Sequence, residues 1–403
     1  MFESNEEEAF SSTTETLKWF QVYPNDFQKS HMSFFLIVSL FLRLSQFILC
    51  CFLSFLHLVM NKKEGNDIDI SQDITLVTAE FGLIVIGAKF VLRSNYWTLL
   101  MQKIIGLSKY GITMDLKQTI RRCNKISKFC TAYGVAAYFI YVLMAFYGIF
   151  DCLRINDEKG IHEICRVVLP TWLPFELTPR GEMVLFALQA ISSFSIPVSA
   201  VVIPFLNWEA AQLLCERIRH LKELSQLILE EKQVDERRQK MKSWIGYHQE
   251  ILGIIEDQNS EVKSCMGHMT LISALAIGCC INQSFSNYNP VGALCTLIGW
   301  IIILFFLCDA GQMITDNTES IAEAVYDMKW YEADILTRKD LLFILIRTQK
   351  PMELDALPLG TLNYALYLMV TDDSRKNLGK YSTIRDLITK MNETKAENFP
   401  FGS

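Results

Sequence analysis

"AVYDMKWYEADILTRKDLLFILIRTQKP", residues 324–351, decides how this chain is folded. Earlier segments with a comparably apolar centre are long enough to cross a bilayer. This one holds only six unbroken apolar residues, Leu341 to Ile346, with Arg338, Lys339 and Asp340 on one side and Arg347 and Lys350 on the other. As helix, six residues rise roughly 9 Å, against a hydrocarbon core of about 30 Å. The spacing therefore predicts a helix that packs against protein beside the membrane. Trp330 and Tyr331 supply aromatic anchors for a protein–protein seam, and Pro351 ends the helix.

Working outward, six segments reach the roughly 20 apolar residues that a crossing needs. They are Ser33–Met60, Ile74–Leu92, Phe129–Leu153, Met183–Leu206, Met266–Gln283 and Val291–Ile314. A seventh, "LPLGTLNYALYLMVT" (Leu357–Thr371), is short. Hydrophobic residues make up 51% of the 403-residue chain and charged residues 20%, a balance that predicts a polytopic helical membrane protein. The net charge of -6 gives no reason to expect nucleic-acid binding.

Lys and Arg are divided unequally between the loops. The N-terminus and segments 93–128, 207–265 and 315–356 hold 24, whereas 61–73, 154–182 and the fifth–sixth hairpin hold 6. The positive-inside rule places the basic side in the cytosol, N-terminus included. The acidic start "MFESNEEEAF" lacks the basic and apolar regions of a cleavable signal. The expected layout is a cytosolic N-terminus (1–32), spans one to four (33–206), and a cytosolic extension of the fourth helix leading into the fifth (207–265). Spans five and six (266–314), a cytosolic anchor helix (315–356), a short pore-helix candidate (357–371) and a polar tail (372–403) follow.

Most cysteines lie in apolar runs, where they read as small buried hydrophobes. Cys152 and Cys165 flank a polar segment, and an oxidising exterior would join them. There is no CxxC pair, metal-ligand spacing, P-loop or dinucleotide turn, so neither an enzyme nor a bound cofactor or metal is expected. Arg43 and Glu80 are charges inside predicted spans, each a candidate functional group or a partner for the other.

Residues 308–356, "CDAGQMITDNTESIAEAVYDMKWYEADILTRKDLLFILIRTQKPMELDA", resemble the C-terminal signature of insect odorant receptors. A Cys-x-x-Gly-like element is followed in order by Ser320, Tyr326, Trp330–Tyr331 and the Arg-x-Gln-Lys-Pro element of Arg347, Gln349, Lys350 and Pro351. The resemblance implies an all-α membrane protein: a seven-transmembrane bundle with a cytosolic N-terminus and a split seventh helix, unrelated to G-protein-coupled receptors. It implies a tuning subunit that gates a non-selective cation channel as a heterotetramer with a co-receptor, in the plasma membrane of olfactory sensory neurons. The alternatives are a gustatory receptor of the same superfamily and a non-conducting variant. The tail "TDDSRKNLGKYSTIRDLITK" departs from the apolar ending usual in the family and would truncate the pore helix.

The implied ligand is a small, volatile, mostly apolar molecule held in the outer half of the bundle. On that reading the candidate contacts are Val77 and Phe81 in span two, and Tyr138, Tyr141, Val142 and Ala145 in span three. Span four offers Phe186, Gln189, Ala190 and Ser193, span five Ile277 and Cys280, and span six Leu294. Gln189 and Ser193, one turn apart, form the expected polar pair. The implied subunit anchor comprises Tyr326, Trp330, Tyr331, Leu342, Leu345, Arg347, Gln349, Lys350 and Pro351, and the pore candidates are Leu366, Tyr367, Met369 and Val370.

Overall fold

The computed structural model of the chain describes residues 8–23, 34–64, 71–111, 114–159, 164–175, 177–231, 233–284, 290–356 and 360–372. The tail beyond Asp372 and the first seven residues lie outside them. The described chain is a helical bundle: α1 (Ser11–Trp19), α2 (Phe34–Glu64), α3 (Ser71–Leu92), α4 (Ser94–Gly106), α5 (Met114–Lys159), α6 (Pro179–Ser193), α7 (Ser195–Glu230), α8 (Val234–Cys265), α9 (Met269–Ser284), α10 (Pro290–Tyr326) and α11 (Ile335–Thr348). A nine-residue helix, α12, covers 364–372 at the end of the described chain.

Length and apolarity let four stretches of the described chain cross a membrane: 37–60, 115–158, 179–230 and 291–326. The bent α8–α9 pair, with 48° at its break, is a fifth. The 22 residues of α3 rise about 33 Å, also enough for a crossing.

Helix α7 is the axis of the fold. Residues 198–211 are buried without interruption, the mark of a helix surrounded on every side. Expected span four is not one straight helix, because the chain breaks at Phe194 between α6 and α7. Pro197 has no N–H to give the Ser193 carbonyl, so one rung of the hydrogen-bond ladder is missing just after the break. Beyond the apolar part, α7 continues as an amphipathic helix to Glu230, and α8 returns antiparallel to it. Trp244 Nε1 donates to the Leu221 carbonyl at 2.8 Å and Gln258 Nε2 to Asn207 Oδ1 at 2.8 Å.

The basic segment after α3 folds onto an acidic face of α8. Lys109 meets Glu250 at 2.8 Å, Lys103 meets Asp257 at 2.6 Å, and Arg93 forks onto both oxygens of Glu261 at 2.6 and 2.7 Å. Positions 250, 257 and 261 are seven and four apart, hence on one helix face. The fork is the strongest of the three, since Glu261 is buried and the geometry bidentate. Helix α1 is held between α5 and α7, with the Thr13 hydroxyl donating to Glu209 Oε2 at 2.6 Å.

The anchor region differs from a single helix over 315–356. Helix α10 runs straight through to Tyr326, Trp330–Glu332 form a 3-10 turn, and only then does α11 begin. The Asp334 carboxylate caps α11, accepting from the Thr337 hydroxyl at 2.6 Å and from its N–H at 3.3 Å. Contact with Thr337 holds the Asp334 carboxyl below its ordinary range. Of the expected seventh segment, the described residues 360–363 precede the helix. Asp355–Ala356 pairs antiparallel with Gly360–Thr361, Asp355 opposite Thr361 and Ala356 opposite Gly360. Gly360 takes φ +97°, which suits only glycine. The helix begins at residue 364, and its nine described residues rise about 14 Å.

Candidate functional site

The sequence brings α5 unusually close to α7. A Cβ on Gly134 would stand 3.2 Å from the Val198 Cα, so glycine sets that approach. Just beside it the helices part around a cavity of about 170 Å³. Its walls come from α2, α3, α5, α6, α7 and α10, closed by Val168 and Leu169 of the α5–α6 connection. The wall is mostly apolar, including Phe47, Leu83, Ala137, Val201, Trp300 and Ile303. A dry apolar cavity of about 150 Å³ accepts a benzene-sized guest, so this volume suits a small organic molecule rather than a drug-sized one.

Three of the expected ligand contacts, Tyr138, Tyr141 and Ser193, line this cavity. The others are placed elsewhere. Phe81 and Leu294 turn outward, 60% and 51% exposed. Ile277 and Cys280 are buried in the core beyond the cavity wall. Phe186 stacks edge-on against Phe146, the Ala190 carbonyl accepts the Tyr138 hydroxyl, and Val77, Val142 and Ala145 are half-buried outside the lining.

Gln189 does not line the cavity. It is buried, but its side chain is fully occupied by the α5–α6 connection. Oε1 accepts from the N–H groups of Val168 (2.8 Å) and Leu169 (3.1 Å), and Nε2 donates to Thr171 Oγ1 (2.7 Å) and the Leu169 carbonyl (3.3 Å). It holds the cavity's lid instead of facing a guest. The Cys152–Cys165 disulfide, Cα–Cα 5.5 Å, tethers the same connection to the end of α5. We expect Gln189→Ala to leave two buried backbone N–H groups without an acceptor and to cost about 3 kcal/mol. Thermal unfolding checks the cost, and faster protease cleavage between residues 164 and 175 checks the location. Unchanged unfolding and cleavage would contradict the pinning role.

Sequence reasoning missed Gly134, Tyr133, Thr296 and Trp300, although the small-residue stripe Gly134–Ala137 one turn apart on α5 was a usable signal. It had no means of placing Val168 and Leu169, which have no periodicity.

At the other end, Tyr326, Trp330, Tyr331 and Leu342 are exposed on the chain, whereas Leu345 packs partly into the core. Helix α11 buries Thr337, Leu341, Ile344 and Thr348 on one face. Its opposite face is apolar too, with Ile335, Leu336, Leu342, Phe343 and Ile346 exposed. Gln349 caps the helix before Lys350 and Pro351, and the Arg347 charge lowers the affinity of buried His248 for a proton, after burial itself, to a pKa of about 4. Of the pore candidates, Leu366 and Val370 are buried against the chain, Tyr367 meets the Phe305 ring at 6.2 Å, and Met369 is exposed.

The bundle has clear relatives in shape. Over 92% of this chain and 97% of the other it superposes on the insect olfactory receptor OR5 from Machilis hrabei in complex with eugenol, with a TM-score of 0.75 at 15% identity. A second structure of that receptor gives 0.74 at 16% identity, over 91% of this chain and 95% of the other. In sequence, Drosophila melanogaster odorant receptor 22c is 34% identical over 65 residues, 16% of each chain. Drosophila odorant receptor 49a is 22% identical over 248 residues, 58% of this chain and 61% of that one. The chain thus spans under two thirds of the length of these curated relatives. The family model described as 7tm Odorant receptor matches residues 72–371, which run from α3 through the hairpin and α12. A match over that much of the chain, joined to the helical bundle and the signature along α10 and α11, makes this protein a member of the 7tm odorant receptor family.

Proposed function

We propose that this chain is an odorant-binding subunit that, with a co-receptor, gates a non-selective cation channel. A small apolar ligand occupies the cavity between α3, α5, α7 and α10. The observation that carries the reading is that apolar cavity of about 170 Å³, partly open, within the membrane-crossing part of the bundle. The solved receptor of similar shape is one in complex with eugenol, itself a small organic molecule. The Lys and Arg bias supports a cytosolic N-terminus and a cytosolic α8–α11 end, and membership of the family supports the plasma membrane of an olfactory neuron. There the outward apolar face of α11 is covered by neighbouring subunits, since an exposed strip of five large apolar side chains is unusual on a free surface. Of the exposed residues of α12, Leu368 and Met369 then face the pore.

Co-expression with a co-receptor tests the reading. Odour-evoked cation current is expected from the pair. Leu342→Asp with Phe343→Asp is expected to abolish both the current and co-purification with the co-receptor, while leaving the chain folded. A pair that reaches the cell surface together and passes no current with any odorant would point instead to a non-conducting subunit. Assembly undisturbed by the two aspartates would remove α11 from the interface.

A further inference from the structure

Glu80 stands in the cavity wall and is only 4% exposed. Neither carboxylate oxygen has a hydrogen-bond partner among the described residues. The Cys51 thiol lies against it, but a thiol is a weak donor. Arg43, the sequence-level candidate partner, is eight residues before Cys51 on α2. Eight residues are about two turns, or roughly 12 Å along the helix axis. A buried carboxyl group left unsatisfied is costly, which makes this one a strong candidate for a group completed by a guest.

The neighbouring hydroxyls point to the guest's chemistry. Tyr133 donates to the Cys295 carbonyl at 2.7 Å, Tyr138 to the Ala190 carbonyl, Ser193 to the Gln189 carbonyl at 2.7 Å and Thr296 to the Gly292 carbonyl at 2.9 Å. Each hydroxyl has a single proton, already directed to the backbone, and keeps lone pairs that accept. Glu80 adds an acceptor oxygen in either protonation state, so this side of the wall, with the Tyr141 hydroxyl and the Trp300 N–H apart from it, offers acceptors to a guest.

Resting on the cavity reading above, we infer that the chain selects ligands with a hydrogen-bond donor, a hydroxyl or an amine, on a compact apolar body, the donor directed at the Glu80 carboxyl. The cavity volume fits a body of about benzene size. A buried polar group designed to meet a donor discriminates against an analogue lacking it, because the group is then left unpaired.

Binding to the purified chain in lipid nanodiscs tests this without requiring conduction. The probes are hexan-1-ol, hexylamine, hexan-2-one and methyl pentyl ether, read as ligand-induced shifts in thermal unfolding. For the wild type, we expect half-saturation by the alcohol or the amine at a concentration at least about tenfold below that of the ether and the ketone, about 1.4 kcal/mol. Glu80→Leu is expected to erase that ratio while the ether still binds. Glu80→Gln, which keeps an acceptor but cannot hold a negative charge, separates the two donor classes: a retained alcohol preference assigns the hydroxyl, and loss of an amine preference assigns the amine. Equal binding of all four probes to the wild type, or a preference for the ketone, overturns the donor inference and leaves the cavity reading intact. A cooperatively melting wild type that none of the four shifts overturns both. If Glu80→Leu fails to fold, Glu80→Gln and the wild-type ratio still decide.

Discussion

Gly311→Ala is expected to lower the stability of the purified protein by about 3 kcal/mol, at the upper end of ordinary overpacking. A Cβ at this position of α10 would overlap the Leu362 carbonyl oxygen and lie 2.7 Å from the Leu362 Cβ. The first contact is with backbone, so no rotamer change relieves it. Nor can the backbone retreat freely, because the Leu362 N–H donates to the Leu354 carbonyl at 2.7 Å and the flanking residues pair in the hairpin. The hairpin must leave α10, and α12 with it. Gly253→Ala is the matched control. It also replaces a helical glycine, but an added Cβ there meets nothing, so a gain of about 0.5–1 kcal/mol is expected. Thermal unfolding of the two variants side by side reads both signs. Equal melting of Gly311→Ala and wild type would refute the close approach. The Cys-x-x-Gly element of the signature acquires a physical reason here: its glycine is the contact surface for the chain's return.

Asp309→Ala should be similarly damaging through a polar route. Trp208 Nε1 donates to Asp309 Oδ2 at 2.6 Å, and the Tyr364 hydroxyl donates to Asp309 Oδ1. One carboxylate thus joins α7, α10 and the first turn of α12. Trp208 is buried, and its N–H would be left without an acceptor, a loss of about 2–3 kcal/mol. Tyr364 is partly exposed and can turn to water, so Tyr364→Phe alone should cost less. A double-mutant cycle between Asp309→Ala and Tyr364→Phe should give a coupling of at least about 0.5 kcal/mol. Zero coupling would show that α12 is held by other contacts. Asp309 lies six residues, roughly 9 Å, along α10 from Ile303 in the cavity wall. In the proposed channel, its loss should therefore reduce maximal current about tenfold or more, with a smaller change in half-activating ligand concentration. The reverse pattern would place Asp309 in ligand binding rather than in transmission.

The elements legible in the sequence were those with a strong local signal. The long apolar runs announced α2, α5, α7 and α10, and the spacing Leu214, Ile218, Leu221, Leu224, Ile228 announced the amphipathic extension of α7. The charge-bracketed stretch announced α11 as a helix of ordinary length. Less legible was the division at Phe194, where the apolar pattern continues across the break. Within expected segment seven, the described residues from Gly360 were hidden in a different way. "LPLGTLNY" is apolar enough to look like helix, yet it contains the Gly360 turn.

The cavity was legible only in part. Tyr138, Tyr141 and Ser193 could be proposed because they sit on apolar helices at the right depth. Gln189 could be proposed on the same grounds, and its pairing with Val168 and Leu169 depends on a connection about twenty residues away in sequence. Phe81 and Leu294 were equally apolar, and only packing decided that they face outward.

Taken alone, the amino-acid sequence determined that this protein is a helical membrane bundle with one end strongly basic, because hydrophobic run length and charge bias are local sums along the chain. The tertiary structure decided which side chains of those helices meet around a cavity, and that among the described residues the Glu80 carboxyl there has only a thiol against it. Such meetings depend on where helices break, cross and approach, at Phe194, Gly134 and Gly311, to within a few ångströms. A helical period specifies a face, but it carries no record of what that face will meet.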